Sequence, residues 1–170
     1  ALGWTTEMYG WGRTGHDAVA YIAECNLSPK AKKRVERYLG HSIVYYASWM
    51  DEYRRSPGYA HTTHWHMAPV DEDLYYTEQV RSSKGDAVGE LENAIAALRD
   101  YRHADDSTVA ANLRYIIHLV GDMHCPAHVA FPDTELWYEV TFNDKKRGYH
   151  SVWDSGIIEA QHKWHYTEWQ

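Results

Sequence analysis

Cysteine is scarce in this sequence of 170 residues: only Cys25 and Cys125 occur, a hundred positions apart and in no CxxC spacing. That excludes a thiolate zinc ribbon and a disulfide-dense scaffold, and leaves a single disulfide as the most cross-linking available. Long apolar runs are missing too. No stretch of 18 apolar residues occurs and the mean hydropathy is −0.64, which excludes a transmembrane helix and leads to the expectation of a soluble chain with no membrane partner. Positive charge is in deficit, 17 Lys and Arg against 24 Asp and Glu, for a net −7. Such a surface repels phosphate unless its charge is locally inverted, and bound divalent cations would do that. Aliphatic content is low as well: Leu, Ile, Val and Phe are together 29 of the 170 residues, yet 14 Tyr and 8 Trp supply the missing apolar area. Each aromatic ring can bury about 150–250 Å², with a polar tip that needs a hydrogen-bond partner.

What the sequence has in excess is histidine, 12 residues against 2 Phe. Imidazole at that density suggests metal. The length fits one domain, and no repeat, low-complexity tract or linker divides it. The periodicity predicts a mainly helical, all-α chain. Helices are expected over 15–25; over 29–39, with Ser28 and Pro29 as start signal and Gly40 as stop; over 41–53; over 87–102; over 107–124, opening after Asp105, Asp106 and Ser107 and ended by Pro126; and over 151–165. Residues 54–86 carry no clear period, and long irregular segments of this kind are often binding loops. Residues 137–142, with a polar turn over 143–148, read as a short hairpin.

Two spacings carry chemistry. His118 and Asp122 stand at i, i+4 on one helix, so both side chains project from one face and can grip one ion. Pro126 then breaks the helix and lets His128 return from another direction. His150 and Asp154 repeat the clip. One such pair is usually an ordinary surface pair, but two, joined by His16, His66 and Asp51, favour a metal centre. His61, His64, His162 and His165 are expected to be solvated, and His124, two residues from Asp122 on the helix, to point elsewhere. Nitrogen and oxygen donors in this number suffice for more than one ion and suit zinc best, with manganese and iron as alternatives, and paired ions ~3.5–4 Å apart suit in-line phosphoryl displacement.

Five blocks occur in order: Trp-Gly-x-x-Gly-His at 11–16, Ala-Ser-Trp-x-Asp-x-x-Arg at 47–54, Trp-His at 65–66, His-x-x-Gly-Asp-x-His-x-Pro-x-His at 118–128 and His-Ser-Val-Trp-Asp at 150–154. Together they resemble the zinc-dependent single-strand-specific nucleases and 3′-nucleotidases, relatives of the bacterial zinc phospholipase C. The resemblance implies three zinc ions at the base of a cleft. Asp51, His66, His118 and Asp122 would hold the first, the Trp11 backbone with His16 and Asp122 the second, and His128, His150 and Asp154 the third. Asp51, Asp122 and Arg54 would form the catalytic set. A hydroxide between the first two ions would attack phosphorus, the third ion would steady the departing 3′-oxygen, and Arg54 would neutralise the transition state. The implied substrates are single-stranded RNA, single-stranded DNA and 3′-nucleotides, the products 5′-phosphates, and the location secreted or periplasmic. Three dications would also offset most of the −7 charge within the cleft.

The pattern departs from the family in four places. Ten residues precede Trp11, the family's mature N-terminus. A peptide nitrogen has no free lone pair, whereas an α-amine with pKa ~8 can ligate. With 1–10 retained as an extension or residual leader, the second ion is therefore expected to be weak or absent. Met67 stands where members commonly carry Phe or Tyr to stack on a base, and is the expected base contact alongside Arg54. The nuclease domain, 11–170, is expected to be C-terminally truncated relative to the family. Cys125 replaces a residue that is usually polar and has no assigned chemistry. The competing readings are a phospholipase C-like zinc phosphoesterase, an HD-type phosphohydrolase resting on His16-Asp17, and a non-catalytic metal- or nucleic-acid-binding relative.

Overall fold

The computed structural model describes residues 12–131 and 136–170. Three of its helices begin where a side chain replaces a missing first-turn acceptor. Ser28 accepts from Ala31 N at the start of α2 (Pro29–Leu39), and Gly40 ends that helix at φ 76°, a left-handed geometry that glycine adopts without strain. Asp105 accepts from Thr108 N at the start of α5 (Asp106–Met123). Asp86 caps α4 (Ala87–Leu98) through Gly89 N. Preceding these, α1 (Arg13–Asn26) opens after Gly12.

α5 is the spine. α4 lies along it, while α1, α2 and α3 (Trp49–Tyr53) pack around it. Its inward stripe of Val109, Ala110, His118, Leu119, Gly121 and Asp122 begins apolar and ends polar, so one helix serves core and site. The core gathers Ala20, Leu39, Ile43, Ala47, Met50 and Leu119 with aromatic residues between them. Trp49 stacks on Tyr53 at 5.2 Å and meets Tyr59 edge-on at 4.9 Å. The Tyr46 hydroxyl donates to the Leu39 carbonyl at 2.6 Å, which is the partner a buried phenol requires. Among the described residues no helix is long and apolar enough to cross a membrane.

The chain is mainly helical, as the periodicity predicts, with three local differences. The segment 41–53 is a 3-10 turn, Ile43–Tyr46, followed by the short α3. The Ala47 carbonyl between them accepts from His118 Nδ1 at 2.8 Å, a long-range bond that takes the place of a helical one. The last helix is also irregular: α6 (Tyr149–Ser151), a π-turn over Val152–Gly156, then α7 (Ile157–Gln161). Here the Asp154 carbonyl accepts from Gly12 N at 2.6 Å, and the chain leaves the helix at Gln161 rather than 165. The expected polar turn after residue 142 is shorter than the sequence suggested. Strands β3 (Glu139–Phe142) and β4 (Lys145–Gly148) pair antiparallel. They are joined by Asn143 and Asp144 at φ 50° and 60°, the two left-handed residues of a tight hairpin turn.

One small element sets the site. β1 (Ala68–Pro69) pairs in parallel with β2 (Val129–Ala130). The first follows His66 and the second follows His128, so this two-residue ladder brings the irregular segment 54–86 against the end of α5.

Candidate metal centre

The five buried histidines, His16, His66, His118, His128 and His150, converge on one region, whereas His41, His61, His64, His103, His124, His162 and His165 are exposed. Two close approaches allow that convergence. Gly12 lets the start of α1 lie against Asp154 and Ser155, and Gly121 leaves the space that the His16 ring fills, so that a Cβ at either position would fall well inside van der Waals contact.

Asp122 is the centre. One of its oxygens, Oδ2, lies 2.9 Å from His66 Nδ1 and 3.2 Å from His118 Nε2. The other, Oδ1, lies 3.3 Å from His16 Nε2 and 3.4 Å from His128 Nδ1. The carboxylate therefore faces two donor groups, as a bridging ligand would. Asp51, on α3, stands 3.8 Å from His16 Nε2, 3.8 Å from His66 Nδ1 and 4.0 Å from His118 Nε2. The His16 ring stacks on that of His118 at 4.3 Å. In the neighbouring group His128 Nε2 is 3.4 Å from Asp154 Oδ1, and His150 Nε2 is 3.1 Å from Asp154 Oδ2.

Backbone carbonyls fix two of the imidazoles. His118 donates from Nδ1 to Ala47 O at 2.8 Å, and His128 from Nδ1 to His66 O at 2.6 Å. Each bond selects the tautomer whose Nε2 lone pair points inward, the outer-shell arrangement common to metal-bound histidine. What remains unsatisfied is informative. His16 Nε2, Asp51 Oδ1, His66 Nε2, Asp122 Oδ1 and His128 Nε2 are buried and make no hydrogen bond. Buried polar atoms without partners are costly, and so many ligand-type atoms facing one another fit cations that would share them. Among the described residues three groups have ligand atoms within 4.8 Å of one another: His16, Asp51 and His118; His66, His118 and Asp122; Cys125, His128 and Asp154.

The charges are strongly coupled. Burial opposes the ionised form of Asp122, but His118, His128 and His66 outweigh it and hold its pKa well below the usual carboxylate range. Burial likewise opposes Asp154, and His128 with His150 lowers it nonetheless. Against its own burial, His128 is pushed up to about 9 by Asp122 and Asp154. His118 is raised in the same way by Asp122 and Asp51. In His16 burial prevails, and with His118 beside it the pKa falls. Cys125 is pushed up by burial and by the Asp154 charge.

Arg54 is buried, at 4 % exposure, with Nη1 3.7 Å from Asp51 Oδ1. With Asp51, Gly12, Arg13, Ser48 and Arg55 it lines a cavity of about 360 Å³. Met67 is half-buried beside His66, its carbonyl accepting from Ala87 N, and is not among the described residues lining that cavity. Asp17 turns instead to Arg13, at 3.8 Å. Trp11 lies outside the described residues. Of the named site residues, His16, Asp51, Arg54, His66, His118, Asp122, His128, His150 and Asp154 come together. Cys125, given no role from sequence, stands among them.

The S1/P1 nuclease model matches residues 11–170. The chain belongs to the S1/P1 nuclease family. It is 30% identical over 156 residues to nuclease P1 of Penicillium citrinum, covering 85% of this chain and 57% of that protein. It is 26% identical over 167 residues to endonuclease 2 of Arabidopsis thaliana, covering 90% and 58%. With nuclease S1 of Aspergillus oryzae the identity is 24% over 165 residues, covering 89% and 55%. This S1/P1 family member thus spans a little over half the length of these curated relatives, and its matched region takes in every site residue named above.

Proposed function

We propose that this chain carries the catalytic centre of a zinc-dependent phosphodiesterase that hydrolyses single-stranded RNA and DNA and 3′-nucleotides to 5′-phosphate products. The observation that carries this reading is the set of buried, unpartnered imidazole and carboxylate atoms around Asp122 in a member of a nuclease family. Asp51, His66, His118 and Asp122 would hold one zinc; His16 and Asp122, with the Trp11 backbone, a second; His128, His150 and Asp154 a third. When bound, such ions supply an acidified water and positive charge against phosphoryl oxygens.

The chain's own residues do the rest. Arg54 presents a guanidinium to the cavity, where it binds a phosphate oxygen and offsets charge developing on phosphorus. Asp51 holds that guanidinium close to the centre. The Ala47 and His66 carbonyls keep two imidazoles in the correct tautomer. Met67, next to His66, is the residue proposed to touch a base, through a polarisable thioether rather than a ring. A single strand is the preferred substrate because its bases leave the stack without the cost of opening a duplex. Export from the cytoplasm belongs to the same reading.

The test is release of phosphate from 3′-AMP and of nucleotides from single-stranded RNA and DNA, with chelator and after zinc is restored, for chains beginning at Ala1 and at Trp11. Activity lost to the chelator and regained with zinc is expected, greater in the chain whose Trp11 amine is free. Chelator-insensitive hydrolysis, or release from phosphatidylcholine alone, overturns the reading.

A further inference from the structure

The third donor group contains a side chain that the ligand set implied by the family leaves out. Cys125 is fully buried, on the turn between α5 and Pro126. Its Sγ lies 3.3 Å from Asp154 Oδ1, and the same oxygen lies 3.4 Å from His128 Nε2. That nitrogen is buried and makes no hydrogen bond, because the ring's other nitrogen is committed to the His66 carbonyl. A sulfur, a carboxylate oxygen and an imidazole lone pair thus face one point. Tetrahedral zinc, with bonds of about 2.3 Å to sulfur, 2.0–2.1 Å to nitrogen and 2.0–2.2 Å to oxygen, places sulfur and oxygen about 3.6 Å apart and nitrogen and oxygen about 3.4 Å apart. The observed separations are close to both. A thiol donating to a carboxylate accounts for Cys125 and Asp154 alone; the His128 nitrogen, which makes no hydrogen bond and stands 3.4 Å from the same oxygen, adds a third ligand-type atom at that point.

We propose that Cys125 is a ligand of the third metal ion, which in this chain is held by Cys125, His128, Asp154 and His150. The proposal rests on the preceding reading that this group binds a metal. On binding, the Sγ–H bond breaks, its proton passes to solvent, and the sulfur lone pair forms the bond to the ion; no electron is transferred. Two properties follow. Thiolate shifts the site towards soft ions, so that cadmium competes with zinc here more effectively than at the two nitrogen–oxygen groups. The sulfur also gives the ion a ligand beside Pro126 in addition to Asp154 on the π-turn, so that the ion ties the end of α5 to that turn.

The experiment uses the full chain with Cys25→Ser, which removes the exposed cysteine and leaves one thiol. Cobalt(II) or cadmium(II) is titrated into chelator-treated protein while bound metal and the near-ultraviolet thiolate-to-metal charge-transfer band are followed. A band that appears with filling of one site, and is lost in the Cys25→Ser, Cys125→Ser double variant together with a fall of at least ~10-fold in zinc affinity at that site, is expected. Bound metal that falls by one equivalent in a His150→Ala variant, with no such band in the parent, overturns the proposal while leaving the metal-centre reading intact. No equivalent lost in His150→Ala, again with no band in the parent, overturns both for this group. The band in the Cys125-containing protein decides the matter even if the double variant fails to fold.

Discussion

At the scale of single residues, Gly121 shows how two rules can point in opposite directions. On helix propensity alone, Gly121→Ala within α5 should stabilise by about 0.8–1 kcal/mol. The structure reverses the sign, because the new methyl would occupy space held by His16 Nδ1, and His16 is locked between α1 and the stacked His118 ring. In the chain beginning at Trp11, Gly121→Ala is expected to displace His16 and remove one bound ion per chain, as read by metal analysis after dialysis. Full metal content in the variant would show that the ring can move without cost. Arg54→Ala tests a different function. It removes a donor aimed at developing charge, an effect of order 10²–10³ in kcat, and should leave metal content unchanged. A variant within threefold of the parent on 3′-AMP would assign Arg54 to structure alone.

The i, i+4 clips His118/Asp122 and His150/Asp154 were readable because helical period alone puts their members on one face. His16, His66 and Asp51 were not readable in that way. Their convergence depends on the Gly12 and Gly121 close approaches and on tertiary packing, and only the order of the five blocks pointed to them. Cys125 had no local signal; its meaning lies in Asp154, which is distant in sequence.

At the scale of elements, the caps were legible and the irregularities were not. Ser28-Pro29 and the run Asp105-Asp106-Ser107, of which Asp105 is the cap, announced their helices through side-chain chemistry that acts over three residues. The break at Ala47 and the π-turn at Val152–Gly156 instead arise where a backbone carbonyl serves a distant partner, His118 in one case and Gly12 in the other. Backbone acceptors look alike in sequence, so neither break could be read there, and π-turns of this kind often occur at functional sites. Asp86 tests the cap logic where it carries most. Its buried carboxylate accepts from Gly89 N at 2.8 Å, Ser82 N at 3.0 Å and the Tyr76 hydroxyl at 2.9 Å, closing the irregular segment onto α4. Loss of an N-cap costs about 0.5–2 kcal/mol, and unsatisfied buried donors add about 1–3 kcal/mol. Asp86→Ala is therefore expected to destabilise by ~2–4 kcal/mol in urea unfolding, and Asp86→Asn by less. Equal losses in both variants would rule out the hydrogen-bonding account.

At the scale of the whole molecule, the metal centre dictates how stability responds to pH, and the sign differs between the metal-free and the loaded protein. Without metal, His128 has a folded pKa of about 9 against an unfolded value of ~6.5. A raised pKa contributes stability that is complete below the unfolded value and is lost as pH rises towards 9. Asp122 and Asp154, both lowered, contribute above their unfolded value of ~3.9 and lose that contribution as pH falls through their folded values. His16, lowered by burial and by His118, contributes above ~6.5 and loses its share below it, narrowing the plateau from the acid side. Metal binding demands neutral imidazoles and so releases protons, which makes the stabilisation it provides grow with pH. The melting temperature of chelator-treated protein is therefore expected to fall from pH 6.5 to 9, while the gap to zinc-loaded protein widens over the same interval. Parallel curves would mean that metal binding displaces no proton over this interval, and would overturn the raised pKa of His128 in the metal-free protein.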